Sequence, residues 1–188
     1  MPGHGRLISG RTTGVWSAIA LACLLLAAGR AAQAQSLEYP VKAAYLPKLP
    51  PFVDWPGRAF AAPQDPFVIC VVGPDPFGGL LDKAASGQRL GERPVVVRRL
   101  TAASRDCHVL YLGQQNSQAV ADSLKAVRGA PVLTVTDGAR QSGSRGIVHF
   151  VVKDARVRFV IDDQQAADNG LTISSKLMSL ALSVRRRA

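Results

Sequence analysis

Apolar positions along the chain fall into short runs separated by glycine, proline and polar clusters, and they predict strands alternating with helices. The firmest run is Phe67 to Val72, six apolar or β-branched residues without a break. Such a run fits a strand buried on both faces, the usual state of a central parallel strand. Gly73-Pro74-Asp75-Pro76 ends it abruptly. Asp75 is placed to cap a helix and Pro76 to open one, so a short helix is expected from Phe77 to Ala85. Strand, turn and helix start together form the first unit of an α/β sheet, whose ligands and partners meet the turns at the carboxyl ends of the strands.

Upstream, Val41, Ala44 and Tyr45 have helical spacing, and Pro47 and Pro50-Pro51 forbid a straight continuation. A short helix is expected there, then a bent segment whose Leu49, Phe52, Val53 and Trp55 pack on the sheet. Downstream, Ser86 to Arg93 is a loop or short edge strand. Pro94 to Leu100, Cys107 to Leu112 and Pro131 to Thr136 read as strands. Asn116 to Val127 is a helix with Val120, Leu124 and Val127 on one face. Ile147 to Lys153 and Arg156 to Ile161 form a hairpin turning at Asp154-Ala155. Asp162 to Asp168 is a short helix stopped by Asn169-Gly170. Ser174 caps a last helix extending through Val184, and Arg185-Arg186-Arg187 stands at its negative end. The sum is a single α/β domain, a mostly parallel sheet flanked by helices with an antiparallel edge hairpin.

The first 34 residues lie outside that domain. Arg6 and Arg11 precede the apolar stretch Val15 to Ala28, and Ala32-Gln33-Ala34 has the small-x-small form of a cleavage site. This is a secretory signal peptide, with cleavage expected after Ala34, a mature domain of residues 35–188 and a periplasmic location. The run is short for a membrane span. Its removal takes Arg6, Arg11 and Arg30 and no acid, so 20 of the 23 basic residues face 13 acidic ones, about +7. In an exported protein that excess suits solubility and an anionic membrane surface rather than nucleic acid.

Export also bears on the cysteines. Cys23 leaves with the signal; Cys70 and Cys107 remain. An even pair in an oxidising compartment suggests a disulfide, and two buried free thiols are the alternative. Two cysteines and three histidines do not suggest a zinc site. No nucleophile elbow, zinc-protease helix or P-loop lysine is present, so no catalytic residue, metal or cofactor is assigned and an enzyme is not expected. Gly73, Asp75 and Asp137 follow strands and are the candidate ligand-binding residues; turn geometry and capping explain them equally well. His108 and His149 are lone strand histidines, read as packed rather than catalytic.

In order along the chain, VKAAYL at Val41, FVDWP at Phe52, PFVICVVGPDPFG at Pro66 and CHVLYL at Cys107 resemble the YfiR-like family of exported bacterial proteins. PVLTVTD at Pro131, GIVHFV at Gly146, RVRFVID at Arg156 and NGLTISSKLMSLA at Asn169 extend the resemblance over nearly all of the mature chain. It implies a periplasmic α/β protein, often dimeric. It also implies a regulator that binds the periplasmic domain of a membrane diguanylate cyclase and inhibits it, lowering cyclic di-GMP and biofilm formation, with release linked to envelope redox state. Cys70 and Cys107 match one disulfide of the family; the second falls near Gln141 to His149, where this chain has no cysteine. The family's first helix lacks Pro47 and the Pro50-Pro51 pair. A periplasmic small-molecule binding or sensor module is the alternative function.

Overall fold

The computed structural model describes residues 37–113, 116–138 and 144–187, and the expected signal segment lies outside them. A helix, α1, covers residues 37–45. Two 3₁₀ turns, Leu46–Lys48 and Pro50–Phe52, follow it. They show how the prolines are accommodated: Pro47 and Pro50-Pro51 fall in tight turns whose backbone fits a fixed φ.

The sheet grows around β2 (Phe67–Val72), whose six residues are all buried. Its other members are β3 (Arg89–Leu90), β4 (Arg93–Leu100), β5 (Val109–Leu112), β6 (Leu133–Asp137), β7 (Val148–Lys153), β8 (Arg156–Asp162) and β10 (Val184–Arg185). Among the described residues the order is β10-β8-β7-β6-β5-β2-β4-β3. Pairings from β4 through β2, β5 and β6 to β7 are parallel, and β7–β8 is the expected antiparallel hairpin. Its turn at Asp154-Ala155 has positive φ at both residues, the backbone that two-residue hairpins favour. A separate pair, β1 (Val53–Asp54) with β9 (Thr172–Ile173), is antiparallel.

Alternate residues of β2 face two different cores. Phe67, Ile69 and Val71 join Leu46, Leu49 and Val53 and Leu81 of α2 (Gly79–Ala85), Ala166 of α4 (Asp163–Asp168) and Leu177 of α5 (Ser175–Leu180). Val68, Cys70 and Val72 join Val120 and Val127 at α3 (Ser117–Ala126). The result is an α/β/α sandwich built by the period-2 alternation of a doubly buried strand. Cys70 and Cys107 are joined as a disulfide in the α3 layer, with Cα atoms 5.8 Å apart.

Three expectations change. The helix after β2 begins at Gly79, not Phe77; the Asp75 carboxylate instead accepts from the Phe77 N–H at 2.7 Å in the turn before it. The last helix ends at Leu180, and Val184 sits in β10, paired in parallel with β8. The arginine triplet therefore does not cap a helix. Arg187 grips Asp163 at 2.9 Å and Arg185 meets Asp162 at 3.2 Å, which fastens the tail to the α4 start. Competition for the open edge of β8 explains the second change: Leu182 N–H donates to Phe159 and Ile161 N–H to Ser183, satisfying backbone groups that a continued helix would leave bare.

Candidate functional site

From β2 the chain runs to β4 on one side of it and then returns to β5 on the other. The gap above the carboxyl ends of β2 and β5 is therefore the point where the winding reverses, the place where open α/β sheets usually admit a ligand. The residues singled out in the sequence converge here. Gly73 follows β2 with φ 86°, Asp75 lies two residues on, and Asp137 ends β6.

This crest is filled from within. Lys42 of α1 is 1% exposed and reaches down to Asp137, Nζ to Oδ1 at 2.6 Å. The Tyr111 hydroxyl donates to the other Asp137 oxygen at 2.6 Å. Lys42 also pairs with Glu38 one turn earlier on its helix and lies 5.1 Å from the centre of the Tyr39 ring. Phe77 tilts against Tyr111 with ring centres 4.7 Å apart. Burial, and then the Asp137 charge, push the Tyr111 hydroxyl far above its usual range, so it stays protonated and acts as donor. Gly113 makes room for it: a Cβ there would lie 2.4 Å from the Tyr111 oxygen.

Asp75 is committed as well. Beyond the Phe77 N–H, it takes Arg99 Nε at 2.9 Å, while the other end of that guanidinium holds Asp82 at 2.5 Å and the Gly78 carbonyl at 2.9 Å. Hydrogen bonds from Arg99 hold Asp82 below the usual carboxylate range. Arg99 thus ties β4 to the turn after β2 and to α2.

The two strand histidines are neutral struts. His108 Nδ1 accepts from the Val68 N–H at 3.0 Å, and its ring stacks on Phe60 and Phe67 at 4.7 Å. His149 Nδ1 is 2.8 Å from Thr136 Oγ1, and burial, then the Arg145 charge, lower it to about 4. The Thr136 hydroxyl beside His149 is fully buried and also accepts from the Gly146 N–H at 2.9 Å. Among the described residues no group of three or more His, Cys, Asp or Glu is placed to hold a metal, and no helix is long and apolar enough to cross a membrane.

Sequence reasoning found Asp137 and missed its partners. Lys42 was signalled only by its place inside the otherwise apolar VKAAYL, and Tyr111 only by the glycine two residues later. No curated protein matches the chain. The DUF4154 family model, described as YfiR/HmsC-like, matches residues 39–182, from the first helix through α5 and so across the crest, the hairpin and the disulfide. The chain belongs to the YfiR/HmsC-like family.

Proposed function

We propose that the protein is a periplasmic regulator that binds the periplasmic domain of a membrane-anchored diguanylate cyclase and inhibits it. The observation that carries this is the family: YfiR-like proteins are periplasmic regulators of diguanylate cyclases, and the match runs over residues 39–182. A signal peptide over residues 1–34, as the sequence leads one to expect, would put the domain on the correct side of the membrane for such contact. The crest gives independent support. Its charged and hydroxyl groups are spent on each other, which suits a rigid body recognised by its surface more than a site that turns over a substrate.

A redox contribution would act through Cys70–Cys107. Both sulfurs are buried, so a reductant reaches them only after local opening of the α3 layer. The alternative, a small-molecule module using Gly73, Asp75 and Asp137, requires Asp75 to leave Arg99, or Asp137 to leave Lys42 and Tyr111. A homodimer is compatible with either reading.

The test is intracellular cyclic di-GMP in a deletion strain, with and without the intact gene restored. A rise that the gene reverses, with a membrane cyclase captured by crosslinking in the envelope, supports inhibition. An unchanged level in cells that normally express the protein, with no cyclase captured, overturns it.

A further inference from the structure

On the α3 face of the sheet, remote from the crest, a cleft of about 390 Å³ opens between α3 and α4. Its floor is Thr134 of β6, and α4 contributes Gln165, Asp168 and the following Asn169. Lys125, Arg128 and Arg145 stand around it. Asp168 is the one carboxylate among the described lining residues, so three positive charges there face one negative.

Some of the protein's cations are held by carboxylates and others are not. Lys42, Arg99, Arg185 and Arg187 all hold carboxylates. Lys125, Arg128 and Arg145 have no carboxylate partner among the described residues. A concave wall carrying one sign of charge focuses its field into the space it encloses. All three are exposed, so they are hydrated in the empty cleft and free to turn towards an anion that enters it.

The walls are held rigidly. The buried Asn169 amide donates to the Val132 carbonyl at 2.9 Å and accepts from the Gly129 N–H at 3.0 Å, which fixes the end of α4 against the end of α3. Gln165 Nε2 donates to the Arg145 carbonyl at 3.2 Å and holds that segment beside the opening. The floor hydroxyl of Thr134 accepts from the Ile147 N–H at 3.0 Å, leaving its own proton to donate.

We propose that this cleft binds a small, non-aromatic dianion, with carboxylate or phosphate groups gripped by Lys125, Arg128 and Arg145. Guanidinium pairs suit both group types because their planar forks match two oxygens at once. The volume lies near the small end of ligand pockets. Among the described lining residues there is no aromatic ring, and Ala121 and Leu124 are the apolar side chains, so none of them stacks a nucleobase. The proposal does not rest on the regulatory contact proposed above, and its failure would leave that reading untouched.

The test is isothermal titration of the purified protein with inorganic phosphate, succinate and the neutral analogue butane-1,4-diol at fixed ionic strength. Saturable binding of either anion, with none of the diol, is expected, and the tighter of the two identifies the favoured head group. Arg128→Gln with Arg145→Gln weakens it about tenfold or more. Ala121→Phe, or Ser144→Phe if the first variant melts early, fills the cleft with every charge intact and also abolishes binding. Absence of saturable binding by both anions at millimolar concentration overturns the proposal. So does binding that survives filling of the cleft, because a diffuse surface field would then account for it.

Discussion

Replacing Lys42 by Met removes the positive end of the buried crest pair and keeps most of its volume. Asp137, itself 7% exposed, is then left with the Tyr111 hydroxyl to offset a full charge. Breaking a buried pair from one side costs about 3–5 kcal/mol, most of it from the stranded partner. A domain of this size is stable by about 5–15 kcal/mol in all, so the variant loses about a fifth of the total or more. Replacing the whole cluster has a different outcome. Lys42→Met with Asp137→Leu and Tyr111→Phe leaves no buried group unpaired and returns the crest to apolar contact. Glu38, 22% exposed, turns to water. The triple variant is expected within about 2 kcal/mol of the parent. Urea unfolding followed by circular dichroism measures both, with an unchanged m-value as the sign that the unfolded states match. A Lys42→Met loss below about 1 kcal/mol would refute the reasoning, since that is the behaviour of a solvated surface pair.

Three further outcomes follow from the same structure. His149 is held at about 4, below its ordinary 6.5, chiefly by burial, so the folded state binds fewer protons than the unfolded one. The associated stability is fully present above pH 6.5 and is lost as the pH falls towards 4, by about 3 kcal/mol. His149→Gln flattens that part of the acid profile, and parallel curves for parent and variant in denaturant titrations across this range would contradict it. Replacing Cys70 and Cys107 by Ser removes a 37-residue cross-link and lowers stability by roughly 4 kcal/mol. Because both cysteines are buried, dithiothreitol cleaves the bond far more slowly in buffer than in moderate urea; equal rates, followed by mass shift after alkylation, would show that the sulfurs are open to solvent in the native state.

The sheet was legible because its strands are buried on both faces. Six apolar residues in β2, and similar runs in β5 and β6, leave no other element that satisfies them. The cap at Ser174 was legible for a related reason, because its side chain meets an N–H three residues on and the signal is local; Asn116 and Asp162, read only as helix starts, cap in the same way. The errors sit where a distant partner decides. Nothing within the tail states that β8 has an edge to be covered, so Leu182 to Val184 read as helix. Nothing near Lys42 states that a carboxylate waits 95 residues later.

That missing partner explains an orientation that hydrophobicity alone would reverse. Helical spacing of Val41, Ala44 and Tyr45 marks an apolar face, yet Val41 and Tyr45 are each 37% exposed while Lys42 is 1% exposed. Turning α1 so that a lysine points inward sacrifices apolar burial on the valine and the tyrosine. It also desolvates a charge, a cost that only a well-placed counter-charge can offset. Asp137 at 2.6 Å, held from its other side by Tyr111, provides that counter-charge, and Ala43 and Leu46 complete the buried face beside it. Tyr45 keeps a stacked contact with Phe150 at 6.2 Å, so the outward face stays anchored to β7. The ion pair thus fixes which side of α1 the protein displays. A Lys42 variant that still folds is free to roll its first helix, and it changes the outer surface there without altering a single exposed residue.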